Sequence, residues 1–332
     1  MKKIIFNLFT FFFLFGVIHL RCTKDAERDN PLDPNSGNFV NTGEISGQVL
    51  SFYAPFAPLP DVEILVEPAS LLLKSDHEGR FAARNLEPGS YKISAQKTGY
   101  AGVSDSVSVT AQNNAQVQLH MDGMPFISSF LVRSARISRW FPPDDLLVLE
   151  VEATASDPDG TNDINSVRIE IPEIGFADEL EVATTLGRFT RTISESRISG
   201  KNLYNILGYE IILTATDRNG VQSEMQKKQI VRIIDEIASP ISPVGLERIT
   251  EQRPELTWQS ATPPFKFTCR LDLFRNDSGI TTSVWTQSGI AGDLRNIQVA
   301  NPLTTGRYIW TVAIVDEFGN WSRSKEAAFE VQ

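Results

Sequence analysis

Two cysteines and three histidines are all that this 332-residue chain holds of the side chains that most often carry nucleophilic, redox or zinc chemistry. Cys22 and His19 fall near the start, so beyond residue 22 only Cys269, His77 and His120 are left. A Ser-His-Asp site would have to draw its base from the first module, which holds both remaining histidines, and no GxSxG-type nucleophile elbow occurs. HExxH, CxxC and glycine-rich phosphate loops are missing too. Paired carboxylates for glycoside hydrolysis are compatible with the abundant acids, but a sandwich of ordinary size offers little concave surface for a sugar cleft. Basic character is also scarce. The net charge is −10, and residues 1–21 hold Lys2, Lys3 and Arg21 with no acid, so the remainder carries −10 − 3 = −13. An acidic body is a poor polyanion binder, which argues against nucleic acid as the main partner. These scarcities lead us to expect no enzyme and no obligatory cofactor.

What is present begins with two lysines and an apolar run over residues 4–20, interrupted by Asn7, Thr10 and His19. Cations, a short apolar segment and a processing site are the parts of a signal peptide, and the run is somewhat short of the roughly 20 residues that span a bilayer. Residues 22–42 then turn polar, with Asn30-Pro31, Asp33-Pro34 and Ser36-Gly37 breaking any helix or central strand. We expect an extended tether there. The cysteine at the junction, followed by "DNPLDPN", resembles the bacterial lipoproteins. That resemblance implies removal of residues 1–21 and acylation of Cys22, hence a membrane partner. His19 and Arg21 occupy positions where the family usually has an aliphatic and a small residue, so an uncleaved anchor and plain secretion stand beside lipidation. All three place the folded part outside the cytoplasm; as a lipoprotein it is expected on the outer membrane or cell surface, with the periplasm as alternative. An acylated Cys22 leaves Cys269 without a disulfide partner, so each domain must rest on its own hydrophobic core.

Past the tether, short alternating runs separated by Gly, Pro, Asn and Asp recur to the end, the pattern of an all-β chain. We expect three tandem β-sandwiches over residues 43–122, 123–237 and 238–332, with pivots near residues 123–125 and 239–243. In the first, Val62, Ile64 and Val66 alternate, and Asp76-His77-Glu78-Gly79 and Pro88-Gly89 suit tight turns in which glycine takes a positive φ. The series Gly47, Val49, Pro60, Val62, Asp76, Gly79, Phe81, Leu86, Pro88, Gly89, Tyr91 and Gly99-Tyr100 resembles the carboxypeptidase regulatory-like domain. The resemblance implies a transthyretin-like sandwich that serves as a spacer or accessory module. His77, in a turn between two acids, is given no role.

In the second module Leu147, Leu149, Val151, Ala153 and Ala155 share one parity, and Val167, Ile169 and Ile171 repeat the pattern. "DPDGTNDINSV" after an early strand and "TATDRNG" near the end resemble immunoglobulin-like domains of exported bacterial proteins. In such a sandwich those two loops lie at one end, which implies a single neighbourhood for Asp157, Asp159, Asp163 and Asp217. Four carboxylates there are candidate Ca²⁺ ligands; the alternative is that Asp and Gly are simply good turn formers. "RISRWFPPDD" places Trp140 and Phe141 before a double proline, either as a ligand-stacking pair or as a plug for the sandwich. "RTISESRISGKNLY" alternates poorly and suggests a loop or a short helix.

In the third module Leu256 and Trp258 share a face, as do Phe267, Cys269, Leu271 and Leu273, and then Tyr308, Trp310, Val312 and Ile314. This order of strands resembles fibronectin type III-like domains. Cys269 should be a buried thiol, Trp258 and Trp310 core residues, and Trp321 the aromatic most exposed for stacking. The resulting expectation is a non-catalytic, membrane-tethered scaffold or protein-interaction module of the cell envelope. The alternative is a carbohydrate-binding accessory protein or adhesin, whose polysaccharide partner would stack on Trp140, Phe141 and Trp321.

Overall fold

The computed structural model describes residues 33, 35–198, 200 and 202–332. Cys22, the leader and most of the tether lie outside the described residues. The end of the tether forms turns, with Ser36 N–H bonded to the Asp33 carbonyl (2.9 Å) and Asn35 N–H to the Asp33 carboxylate (2.9 Å). Among the described residues no helix is long and apolar enough to cross a membrane. The chain divides into two compact units, one ending with Gly102–Met121 and the other comprising Gly99–Ala101 and Asp122–Gln332.

The first unit has seven strands: β1 (Gly43–Ser51), β2 (Glu63–Glu67), β3 (Leu71–Lys74), β4 (Arg80–Leu86), β5 (Gly89–Gln96), β6 (Val103–Val109) and β7 (Asn114–Met121). They form a sandwich of two sheets, ordered β4-β1-β7 and β3-β2-β5-β6. The alternating residues behave as their parity requires: Ile64, Val66, Ile93 and Val49 are fully buried. Gly47 lies mid-strand in β1 because a Cβ there would sit 2.6 Å from both the Phe81 ring and Val117 Cγ1. The Asp76–Gly79 turn closes as expected, Gly79 taking a φ of 71° while Asp76 Oδ1 accepts from Glu78 and Arg80 N–H. The second turn differs, since Gly89 has no positive φ; the nearest one falls on Asn85 (56°), near the end of β4. Asparagine tolerates the left-handed region and Pro88 does not need a glycine beside it.

The second unit holds β8 (Phe126–Ile137), β9 (Leu146–Ser156), β10 (Ile164–Ile171), β11 (Phe176–Glu179), β12 (Glu181–Val182), β13 (Arg188–Ser194), β14 (Ile211–Asp217) and β15 (Gln226–Lys228). It continues with β16 (Ser239–Ser242), β17 (Glu247–Ile249), β18 (Glu255–Gln259), β19 (Phe267–Asp277), β20 (Ile280–Ala291), β21 (Asn296–Gln298), β22 (Gly306–Asp316), β23 (Trp321–Arg323) and β24 (Ala327–Val331). The poorly alternating stretch after β13 contains 3₁₀ turns at Glu195–Arg197 and Leu203–Ile206. Two cores are present. One gathers Leu149, Val151, Ile169, Ile193 and Leu213, the other Leu256, Trp258, Leu271, Trp310 and Phe329. Tyr308 fastens the second by donating its hydroxyl to the Thr304 carbonyl (2.8 Å).

These two sandwiches are not joined by a pivot at residues 239–243. β23 pairs antiparallel with β22 and parallel with β8, so one ten-stranded sheet runs through both. Ser239–Ser242 is itself a strand, paired with β18. A third apolar cluster of Ala135, Val148, Ala313 and Trp321 fills the seam. Several polar groups buried there are paired: Asn320 Oδ1 accepts from Ser134 N–H (2.9 Å) across the seam, Asn320 N–H donates to Asp316 (2.9 Å), and Asp316 pairs with Arg232 (2.9 Å). A prolyl break in a linker loosens a joint only where strand pairing does not bypass it, and here the sheet does.

Candidate functional site

β8 and β9 are antiparallel with Phe126 opposite Ser156, so the segment before β8 lies beside the loop after β9. β10 and β14 are likewise antiparallel, with Ile164 opposite Asp217. Three segments therefore converge at one end of the sandwich: the one leading into β8, the loop between β9 and β10, and the loop after β14. Carboxylate oxygens of Asp157, Asp159 and Asp163 lie within 4.8 Å of one another, and so do those of Asp122, Asp163 and Asp217. The four expected aspartates are brought together, with Asp122 as a fifth. Asp122 is held in place through Ala101 N–H bonded to its carbonyl (2.8 Å) and Met124 N–H bonded to the Gly99 carbonyl (2.9 Å).

Part of this arrangement is ordinary turn chemistry. Asp157 Oδ1 accepts from Asp159 N–H (2.8 Å), and Asp217 Oδ1 accepts from Asn219 N–H (2.9 Å) and Val221 N–H (2.8 Å). Asp159 Oδ2 takes the N–H of Gly123 at 2.6 Å. The remaining oxygens are different. Asp217 is 1% exposed and Asp157 7% exposed, yet Asp217 Oδ2 and Asp157 Oδ2 touch neither solvent nor a hydrogen-bond donor. Asp122, 9% exposed, has one such oxygen as well. Among the described residues no arginine or lysine forms a salt bridge with Asp122, Asp157, Asp159 or Asp217, although nineteen bridges occur elsewhere. Burial, reinforced by neighbouring carboxylates, pushes Asp157 up to about 6; burial does the same to Asp122, also about 6, against a hydrogen bond from Asn219. The Tyr100 hydroxyl is raised by burial and by the charges of Asp159 and Asp157.

The aromatic candidates separate. Phe141 is 87% exposed and Trp140 66%, but the Trp140 indole N–H is bonded to the Glu326 carbonyl (2.8 Å) and Lys325 Nζ lies 4.7 Å from its ring centroid. Trp321 corrects the expectation of exposure. It is 9% exposed, its N–H bonds to Glu150 (3.0 Å), and the Arg270 guanidinium covers the ring at 5.0 Å. A stacking face is therefore closed at Trp321, because β23 is interior to the shared sheet. Trp258 and Trp310 are core residues, and Cys269 is a buried thiol whose pKa burial raises. His77 is exposed in its turn.

The seven-stranded sandwich with Gly47 beneath Phe81 and Tyr91 bonded to the Glu87 carbonyl (2.9 Å) can now be set beside known proteins. Residues 44–122 match the carboxypeptidase regulatory-like domain. The chain is thus a tandem β-sandwich protein whose first sandwich is similar to the carboxypeptidase regulatory-like domain. No curated protein matches its sequence. Among solved structures it is similar to the Bacillus anthracis TIE protein, at 11% identity and a TM-score of 0.27 over 88% of this chain, and it spans 49% of that protein. It is also similar to the FN1-FN3 domains of chicken CNTN1, with 11% identity, a TM-score of 0.29, and 82% of this chain and 90% of that one covered. Fibronectin(III)-like modules of Clostridium thermocellum CbhA overlay at 12% identity and a TM-score of 0.28, over 63% of this chain and 93% of theirs. Overlays this loose carry no statement about function.

Proposed function

We propose that the protein is a non-catalytic, exported lipoprotein, anchored by acyl chains on Cys22, that serves as a β-sandwich scaffold for other components of the bacterial cell envelope. The observation that carries this reading is the shared ten-stranded sheet. A protein that works by presenting surfaces gains from a joint with its own apolar filling and cross-sandwich hydrogen bonds such as Ser134 to Asn320, whereas a cleft enzyme would need a concave site between its modules. The histidines agree with that reading: His77 stands in a solvated turn and His120 Nδ1 lies 3.2 Å from the Ser51 carbonyl. Replacing Cys22 with alanine tests the anchor. The variant should leave the membrane fraction for the soluble one and lose labelling by a fatty-acid analogue. Retention in the membrane at unchanged size would instead establish an uncleaved apolar anchor.

The exposure of Phe141 beside Trp140 favours one second reading, a polysaccharide-binding accessory role. Trp140 also borders an apolar groove lined by Pro240, Val244, Leu246 and Ala327. Affinity for a cell-wall polysaccharide that falls at least tenfold in Trp140→Ala/Phe141→Ala would support it, and binding indifferent to both substitutions would remove it.

A further inference from the structure

The turn chemistry of the aspartate cluster accounts for Oδ1 of Asp157 and of Asp217 and leaves Oδ2 of each without a donor. A carboxylate oxygen shut off from water and from every donor is costly to keep, and buried charges in proteins are as a rule paired or metal-bound. Here two such oxygens, on Asp157 and Asp217, belong to side chains that are more than nine-tenths buried. Asp157 belongs to one trio of carboxylates with oxygens within 4.8 Å of one another, with Asp159 and Asp163, and Asp217 to a second, with Asp122 and the shared Asp163; no salt-bridged cation stands on Asp122, Asp157, Asp159 or Asp217. We propose that Asp122, Asp157, Asp159, Asp163 and Asp217 bind one Ca²⁺ ion, which ties the segment leading into β8 to the loops that follow β9 and β14.

The donor set selects the ion. Histidine and cysteine are missing from it, which disfavours zinc and copper. Mg²⁺ holds several waters and is usually content with one or two carboxylates, whereas Ca²⁺ takes six to eight oxygens from loops of irregular shape. Gly123 is part of the design. A Cβ there would meet Asp157 Oδ1 at 2.7 Å and Asp159 Oδ2 at 3.0 Å, so only glycine lets the backbone approach the acids while its N–H bonds to Asp159. The ion would therefore order residues 122–123 as well as the two loops. This inference is independent of lipidation and holds or fails whether or not Cys22 is acylated.

The test uses the full chain, freed of metal with chelator, and Ca²⁺ alone as the probe. Calorimetric titration should show one ion per chain, and the thermal midpoint should rise with added Ca²⁺ and fall back with chelator. Asp157→Asn and Asp217→Asn keep the turn-capping oxygen and remove the charge, so each should fold without metal, with a midpoint no lower than the parent's, and bind Ca²⁺ at least tenfold more weakly. Asp293→Asn, on an exposed turn outside the cluster, should bind as the parent does. Hydrogen exchange at the Gly123 amide should slow on Ca²⁺ addition in the parent and not in Asp217→Asn. A midpoint indifferent to both Ca²⁺ and chelator, or equal binding in the parent and the doubly substituted Asp157→Asn/Asp217→Asn chain, would overturn the proposal.

Discussion

Replacing Trp321 with alanine should uncouple the two sandwiches of the second unit. The indole is 9% exposed and packs in the seam with Ala135, Val148 and Ala313. Truncating a buried tryptophan costs about 3–5 kcal/mol from lost transfer energy and residual cavity. The indole N–H bond to the Glu150 side chain at 3.0 Å contributes about 1.5–3 kcal/mol where it is buried, and the Arg270 cation over the ring roughly 0.5–1 kcal/mol. These overlap, since all are lost with one side chain, and a total near 4 kcal/mol is the reasonable expectation. The assay is urea unfolding followed by tryptophan fluorescence. All five tryptophans lie in the second unit, so the signal is blind to the first. The parent should show one transition, and Trp321→Ala a midpoint lowered by the equivalent of about 4 kcal/mol, with the buried Trp258 and Trp310 reporting the third-module core alone. Trp140→Ala, on an exposed ring, is the control and should cost under about 1 kcal/mol. A Trp321→Ala loss no larger than that of the control would refute the argument that the seam joins the two sandwiches.

Gly47→Ala should destabilise the first unit by about 1–3 kcal/mol, because the new methyl has no room between Phe81, Val117 and the Val117 carbonyl at 2.7 Å; faster amide exchange in β1 with tryptophan fluorescence unchanged would show it. Burial raises the Asp178 carboxyl, but hydrogen bonds from Arg191 and Arg197 outweigh it and hold the value below the usual carboxylate range. Its contribution to stability is therefore present above the ordinary aspartate value and is lost as pH falls through the depressed one. Asp178→Asn should accordingly flatten the acid limb of the stability curve, and an acid limb identical to the parent's would contradict the pairing. The Cys269 thiol should resist an alkylating reagent in the native chain and react at an ordinary rate in denaturant, since it is buried and its pKa is raised.

The sandwich character was legible because strand parity is a local property. Leu147, Leu149, Val151, Ala153 and Ala155 point inward as their alternation demands, and the same holds for Tyr308, Trp310, Val312 and Ile314. The seam was not read, because β23 is three residues long and pairs with a strand that closes nearly two hundred residues earlier. It did leave a local trace. Val148 and Ala313 are apolar on the parity that should have been wet, and both are buried by the neighbouring sandwich. The acidic end was legible for the four aspartates in the two loops of the immunoglobulin-like pattern. Asp122 was missed by assigning it to the end of the preceding module. Antiparallel pairing supplies the missing step, since a residue just before β8 must lie beside the residue just after β9. Trp321 was misread because a position after a turn suggests solvent, and only the sheet partner on its other side decides otherwise.

The most direct test of the account as a whole is the intact mass of the protein purified from the membranes of a bacterium that processes lipoproteins. A mass for a chain beginning at Cys22 with added acyl groups is the result expected of a tethered scaffold. A full-length mass, or one cleaved elsewhere without lipid, would contradict the tether and leave the β-sandwiches without the anchor on which the proposed role depends.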